Sequence, residues 1–594
     1  MFRFCILMAL VGQVLCLNAQ KHDYVWLSGF NNALLSDSTV FAVDFSQIDS
    51  ISIYKFPDNS ALTNTNVSIS NENGNLDWYS NGCFIKNSFS DIIENGDYIN
   101  SGPDSLVYTT YCGTNGSGFY PIAQGIFALP LPGNHYALFH MRFDVSPDLS
   151  PLQICLIDGL QYTLVDMNVN QGLGSVVFKD SVLLEGCFQV AIANKHANGR
   201  DWWILLADNL QGRFYRFLQT PNGIQGPWVQ DIDNLTTTDS FYYGGWAAFS
   251  PDGSRMMVND IQTGTMLYNF DRCTGLLNQF EFLPANISVL GYGLGAAFSP
   301  DSKSLYVVRG NHKKLEQYNL NAPDIADSKI TVAEWDGAFD TLQPSGALYF
   351  TGFSYFQHGP DGKLYNWAGN TRYMHVMDFP NREGMDCNFR QRAIRLPNFT
   401  LGANAYYPNY RLGPVDGSAC DTLGIDNVPV ALFRHDWEDS SLVLQRTFTD
   451  LSYYEPAIWS WDFGDGTVSA DTSPVHAFPQ SGTYNVCLTV SNPYGIDTYC
   501  REVTVGTTSV VTPELPKLVV APNPASESVR FGLPGIRGRL ILNDLQGRAI
   551  FSTSFQNEAE VDVRSTIPGL YFYTLMAEDG KRWNGKVVVV RSVH

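Results

Sequence analysis

Basic residues are scarce in this chain: 37 Lys and Arg stand against 58 Asp and Glu, for a net charge of -21. A phosphate backbone is gripped through basic surface, so this balance argues against a nucleic-acid partner. Long apolar runs are missing as well. After residue 17 no stretch approaches the about 20 apolar residues that a membrane-spanning helix needs. No two cysteines have Cys-x-x-Cys spacing, which removes zinc knuckles and thioredoxin-like sites. There is no Gly-x-Ser-x-Gly elbow, no His-Glu-x-x-His and no phosphate loop, so no motif implies a cofactor or a catalytic residue. Long amphipathic periods are few. What is plentiful is turn and strand material: 51 Gly, 30 Pro and 13% aromatic residues, a composition for β structure with many turns.

The N-terminus carries Arg3, an apolar stretch over residues 4–17 and Asn18-Ala19-Gln20, the pattern of a secretory signal peptide over 1–19 cut after Ala19. Cys16 opens a lipoprotein alternative, to which Val14-Leu15 is a poor fit. At 594 residues two to four domains are expected. The charge is uneven: from Pro513 onward there are ten Lys/Arg and eight Asp/Glu, so nearly all the acidity lies upstream. Of eleven cysteines, nine follow residue 19 and would meet an oxidising compartment. Cys487 and Cys500 flank the turn Asn492-Pro493-Tyr494-Gly495, and a hairpin centred there sets them opposite each other as a disulfide. The connectivity of the other seven, from Cys83 to Cys420, is not readable.

A strand-turn-strand unit recurs in the first four hundred residues. It turns at Pro251-Asp252-Gly253, Pro300-Asp301-Ser302 and Pro360-Asp361-Gly362, with looser copies at Asn73-Gly74, Pro132-Gly133 and Asn198-Gly199. The intervals between turns are 59, 66, 54, 49 and 60 residues. This period resembles a β-propeller of the WD40-like or lactonase-like kind, expected over 22–412 with about seven blades. The flanks, residues 23–57 and 385–412, are expected to share the seventh blade and close the ring. A long β-sandwich or a solenoid is the alternative architecture. Asn198-Gly199-Arg200-Asp201-Trp202-Trp203-Ile204 and the stretch from Tyr410 to Asp421 resemble propeller-bearing surface proteins of Bacteroidetes, which implies a domain order and no particular chemistry.

Two immunoglobulin-like modules are expected after a linker at 413–425. Trp459-Ser460-Trp461-Asp462-Phe463-Gly464-Asp465-Gly466, His476 and Gly482 to Asn492 resemble the PKD domain, expected over 426–506. Trp461 and Phe463 alternate with Asp462 as a strand with one buried face requires, and Val486, Leu488 and Val490 share a face. After a second linker at 507–516, Pro522-Asn523-Pro524, the run from Leu542 to Arg548, Ile567 to Thr574 and Lys586 to Val590 resemble the type A sorting domain of the type IX secretion system, expected over 517–594. That resemblance implies the secretion machinery as a partner, passage through the periplasm, removal of the domain, and an outer-membrane or extracellular destination.

Candidate functional residues are few. His140, His196 and His358 lie near inferred blade strands, where a channel metal would be held, although His358 aligns with Phe249 and Phe298 and so with a core position. Asp462, Asp465 and His476 read as turn and packing residues. Asp231 and Asp233 near Thr236 and Thr238 could bind calcium. Trp78, Trp202, Trp203 and Trp367 offer flat faces to sugars, but aromatic residues also fill the gaps between blades. The reading is a non-enzymatic surface or secreted protein that binds protein or glycan through the propeller, with the PKD domain as spacer. The alternative is a lactonase-like hydrolase working in the central channel.

Overall fold

The structure, a computed structural model, describes residues 21–591 apart from 30–39, 64, 101–107, 110, 114–121, 123, 144–156, 187, 189, 209–211, 233–245, 261–263, 285–294, 343–344, 401–404, 439–441, 507–517, 545–547 and 578–581. The signal peptide, the second linker, and the residues Asp233, Thr236, Thr238, Cys155 and Cys187 therefore lie outside the described residues. Contacts divide the chain into one body ending at Val503 and another starting at Thr504.

Among the described residues, seven antiparallel sheets follow one another before the PKD region, each a meander of three or four neighbouring strands. They span Val25–Lys55, Val67–Asn87, Ile126–Glu185, Val190–Asp231, Trp246–Pro284, Ala296–Glu334 and Phe356–Arg395, and are called sheets one to seven below. A short hairpin, Phe339–Leu342 with Ala347–Phe350, is inserted between sheets six and seven. First strands of neighbouring sheets lie beside one another from sheet one to sheet three and from sheet four to sheet seven. Trp26, Phe41 and Val43 of sheet one pack with Tyr365, Trp367, Met374 and Val376 of sheet seven, which closes the series into a β-propeller.

The turn chemistry explains the repeat. In sheets two to seven the first two strands are joined at Gly74, Gly133, Gly199, Gly253, Ser302 and Gly362, all with φ between 60° and 87°. Glycine enters that left-handed region without steric cost, and Ser302 is the one residue of the six that bears a Cβ there. Pro251 and Asp252 set up their turn in the expected way, with the Asp252 carboxylate accepting the Ser254 N–H at 3.0 Å.

Ring closure departs from expectation. Phe389–Arg395 is the fourth strand of sheet seven and does not pair with sheet one. Sheet one instead has three strands of its own, and the inner edge of Val25–Ser28 is met by side chains: Val25 N–H donates to Ser70 Oγ and Leu27 N–H to Ser68 Oγ. The end of the flank, residues 405–412, forms no strand and crosses the axis as described below.

The PKD region is a sandwich of one sheet from Phe433–Asp436, Gln445–Asp450 and Val475–Ala477 and another from Ile458–Asp462, Val468–Ser469, Gly482–Asn492 and Gly495–Val505. Trp461, Phe463, Val486, Leu488 and Val490 are all buried, as the alternation required. Cys487 and Cys500 are bonded across the hairpin. Two further disulfides, Cys83–Cys112 and Cys273–Cys420, were not legible from spacing, and Cys387 is buried and free.

In the second body, five strands wrap one core. Its longest strand, Ser528–Asn543, shifts register between Gly532 and Arg537 and so bends over that core. Asn523 of the Pro-Asn-Pro motif reaches across to the final strand, its amide donating to Lys586 O and its carbonyl accepting from Val588 N–H. The motifs that open and close this domain therefore make one contact.

Candidate functional site: the propeller axis and the PKD junction

The backbone of a propeller's inner strands has one unpaired edge facing the axis, and buried N–H and C=O groups need partners. Here protein supplies them. Tyr406 Oη accepts from Ala193 N–H at 3.3 Å and donates to Ala193 O at 3.1 Å. Tyr410 Oη donates to Ala128 O at 2.9 Å, and the Gln124 amide brackets both backbone groups of Ala247. Tyr407 Oη meets Ser68 Oγ at 2.6 Å, Asn409 donates to Pro251 O, and Arg411 pairs with Asp23. One short segment, 406–411, thus touches sheets two to five and the residue that leads into sheet one. It fills the axis on the side of the Pro-Asp-Gly turns.

The two stretches that resemble surface proteins of Bacteroidetes prove to be parts of this same arrangement. Arg272 donates to Lys195 O and His196 O and reaches Gly413 O, while Trp203 Nε1 donates to Arg272 O at 2.8 Å. Val415 N–H donates to Ala197 O at 2.8 Å. A Cβ on Gly199 would meet Pro414 at 2.8 Å, so glycine is needed there for close approach as well as for φ. Lys195 lies over the Trp202 ring and donates to Tyr410 O at 3.1 Å. Burial pushes its amine down to about 7, and Arg272 adds to that. With 3% exposure the Lys195 side chain holds the segment and offers solvent no nucleophile.

The stretch at 413–425 is accordingly not a free tether. Cys420 is bonded to Cys273 of sheet five's turn, and Asn427 donates to Pro414 O and Asp416. Beyond it the PKD domain is docked through charge. Lys363 Nζ bridges Asp378 at 3.0 Å and Asp436 at 2.9 Å; Arg434 donates to Asp378 O; Arg382 pairs with Glu438 at 2.7 Å. Asp49 of sheet one meets Arg501 and the His435 N–H. Burial would raise the Asp378 pKa, but Arg390 and Lys363 hold its carboxyl below the usual aspartate range.

The sequence candidates do not converge. His140 is buried between Asn100 and Thr163, and desolvation pushes it down to about 4. His196 Nδ1 accepts from Asn198 N–H and its Nε2 donates to Cys273 O, as part of the clamp. His358 ends the first strand of sheet seven as Phe249 and Phe298 end theirs, and loss of water pushes it down to about 4. Trp78, Trp202, Trp203 and Trp367 are buried in blade cores. Asp231 is paired with Arg213 at 3.1 Å. In the PKD domain Asp462 accepts from Gly464 N–H, and Asp465 binds Thr467 and His476, whose ring stacks on Phe463. Among the described residues no three His, Cys, Asp or Glu side chains are grouped as a metal site requires. Nor, among them, is any helix long and apolar enough to cross a membrane.

Comparison with known proteins agrees with the modules. The PKD domain family matches residues 429–507, and the family described as a secretion system C-terminal sorting domain matches 519–590. No curated protein matches the chain. Among solved structures, the chain is similar to the PKD1 domain of a Vibrio cholerae metalloprotease at 28% identity, covering 14% of this chain and 99% of that one with a TM-score of 0.12. It is also similar to a putative 6-phosphogluconolactonase from Bacteroides uniformis (12% identity, 63% and 97% covered, TM-score 0.37) and to a periplasmic gluconolactonase from Pseudomonas aeruginosa (12%, 64% and 97%, TM-score 0.33). Likeness at this level leaves the chemistry of the propeller to its own residues. The sorting domain marks the chain for the cell surface or the extracellular space by way of the type IX machinery. The chain thus joins a β-propeller to a PKD domain and to a secretion system C-terminal sorting domain, which marks it for the cell surface or the extracellular space.

Proposed function

We propose that the exported protein acts as a non-enzymatic binding module for protein or glycan, in which propeller and PKD domain work as one body and the PKD domain is a docked partner, not a loose spacer. The observation that carries this reading is the filled axis. A channel hydrolase needs convergent acid, base or metal-binding side chains open to substrate. The described axis is occupied instead by Tyr406, Tyr407, Tyr410 and Gln124, each engaged with protein. The signal peptide, passage through the periplasm and removal of the tail belong to the same proposal.

The test is to present the purified chain to glycan and extracellular-protein arrays and, in parallel, to lactones and chromogenic glycosides. Saturable binding without turnover is expected. Turnover that survives repurification and saturates with substrate would favour the lactonase-like alternative and overturn this one.

A further inference from the structure

An open groove of about 550 Å³ lies between the outer strands of sheets four and five. Its origin is local. In Leu276–Pro284, Gln279 pairs with Tyr268 and Glu281 with Leu267, so Phe280 is an extra residue that bulges from the ladder. Phe280 packs toward sheet six, under the Arg255 guanidinium. Tyr268 and Met266 face sheet four, where Tyr268 meets Phe214, and their partners Gln279 and Phe282 share that side. The opposing strand, Gly223–Asp231, has its own register shift and presents Trp228 and Gln230 on the face toward sheet five. The Gln230 amide bonds both backbone groups of Leu277, at 2.5 Å and 3.0 Å, and so fixes the distance between the walls at one end.

The lining is chemically mixed. Phe282 is 37% exposed, so its ring meets solvent in the groove, and Phe280 lines the wall beside it. The Asn278 and Gln279 side chains are exposed along the same wall, and Asp231 and Glu281 add carboxylates at the rim. Amides demand both a donor and an acceptor, carboxylates demand donors, and the rings demand an apolar face. A neutral pyranose meets all three demands, since its hydroxyls both donate and accept and its C–H face is apolar. The volume suits a short oligosaccharide.

We infer that this groove binds a neutral pyranose oligosaccharide, with Phe282 against a sugar face and Gln279 and Asn278 on hydroxyls. The inference rests on the binding reading above and gives it a place and a ligand class. The experiment is calorimetric titration of the full chain with cellohexaose, mannohexaose, xylohexaose and chitohexaose, with polygalacturonate and a lysine-rich peptide as charged comparisons. At least one neutral hexasaccharide is expected to bind, with affinity falling at least tenfold in both Phe282→Ala and Gln279→Ala. Trp437→Ala, which removes an exposed ring of the PKD domain, is expected to leave it unchanged. Binding to none of the four neutral sugars, or to the lysine-rich peptide alone, overturns the inference. Neutral-sugar binding that both groove variants retain also overturns it, while leaving the general binding reading in place.

Discussion

Replacing Arg411 by Ala is expected to loosen the propeller where its two ends meet. The guanidinium makes two hydrogen bonds to the Asp23 carboxylate, with side chains 19% and 11% exposed, and lies 5.6 Å from the Tyr24 ring centroid. Burial opposes the charge on Arg411, yet Asp23 more than offsets this and raises its pKa above the ordinary arginine value. Removing one member of a buried pair costs about 3–5 kcal/mol, and the partial exposure here lowers the expectation to about 2–4 kcal/mol. Loss of the cation–ring contact adds about 0.5 kcal/mol. The assay is urea unfolding of the exported chain followed by tryptophan fluorescence, with Trp26 and Trp202 inside the affected cores. Asp23→Asn with Arg411→Met removes both charges and keeps the volume, so it should recover more than half of the loss. A single-variant cost below about 0.5 kcal/mol, the level of an ordinary surface change, would refute the reasoning. A double variant as unstable as Arg411→Ala would refute it too, because stranded charge could not then be the cause.

The remaining expectations concern the junction and the tail. Cys420→Ser opens a bridge between residues 147 apart, and the stability lost on unfolding should be about 2–4 kcal/mol; equal denaturant midpoints with and without reductant would count against the clamp. Arg390 and Lys363 hold Asp378, and Arg382 holds Glu438, below their ordinary ranges, so both stabilise the docked state above the usual carboxylate pKa and stop doing so as pH falls through their depressed values. Hydrogen-exchange protection at Phe433–Asp436, corrected for the intrinsic pH dependence of exchange, should therefore hold at pH 5 to 7 and fall only in acid below about pH 4; a loss of protection beginning near neutrality would contradict this. Gly199→Ala is expected to cost about 2 kcal/mol or more, from left-handed strain together with the clash on Pro414, whereas Ser302→Gly should be neutral or stabilising. Thermal melts of the two would separate turn strain from contact. A chain ending near Val505 should remain in the periplasm, and its display on the surface would remove the sorting role assigned to the tail.

Much of the architecture was legible where a single position has a steric requirement. The six turns stand out because φ near 70° admits glycine and little else, and the Cys487–Cys500 bridge because a tight hairpin leaves its partners no other register. The PKD strand could be read from the alternation of Trp461, Asp462 and Phe463. What could not be read depends on distance in the chain. Tyr406 and Ala193 are 213 residues apart, Tyr410 and Ala128 are 282 apart, and no period links them. The stretch from Tyr410 to Asp421 stood out only as a resemblance; its physical meaning is the seat it finds on Lys195, Arg272 and Gly199. The groove was invisible for another reason. One extra residue, Phe280, reverses which side of the strand its neighbours face, and the bulge has no compositional mark.

The filled axis also sets an order of events. The segment that satisfies the inner edges at Ala128 and Ala193 is the last part of the propeller to be made, and Arg411 can find Asp23 only when nearly four hundred residues already stand between them. A chain interrupted before residue 406 would lack the partners of Ala128 and Ala193 and would leave bare backbone along its centre, where another strand could add. Completion of the propeller's interior and docking of the PKD domain therefore come close together, because residues 406–411 fill the axis and the clamped stretch that follows leads directly to the docked domain.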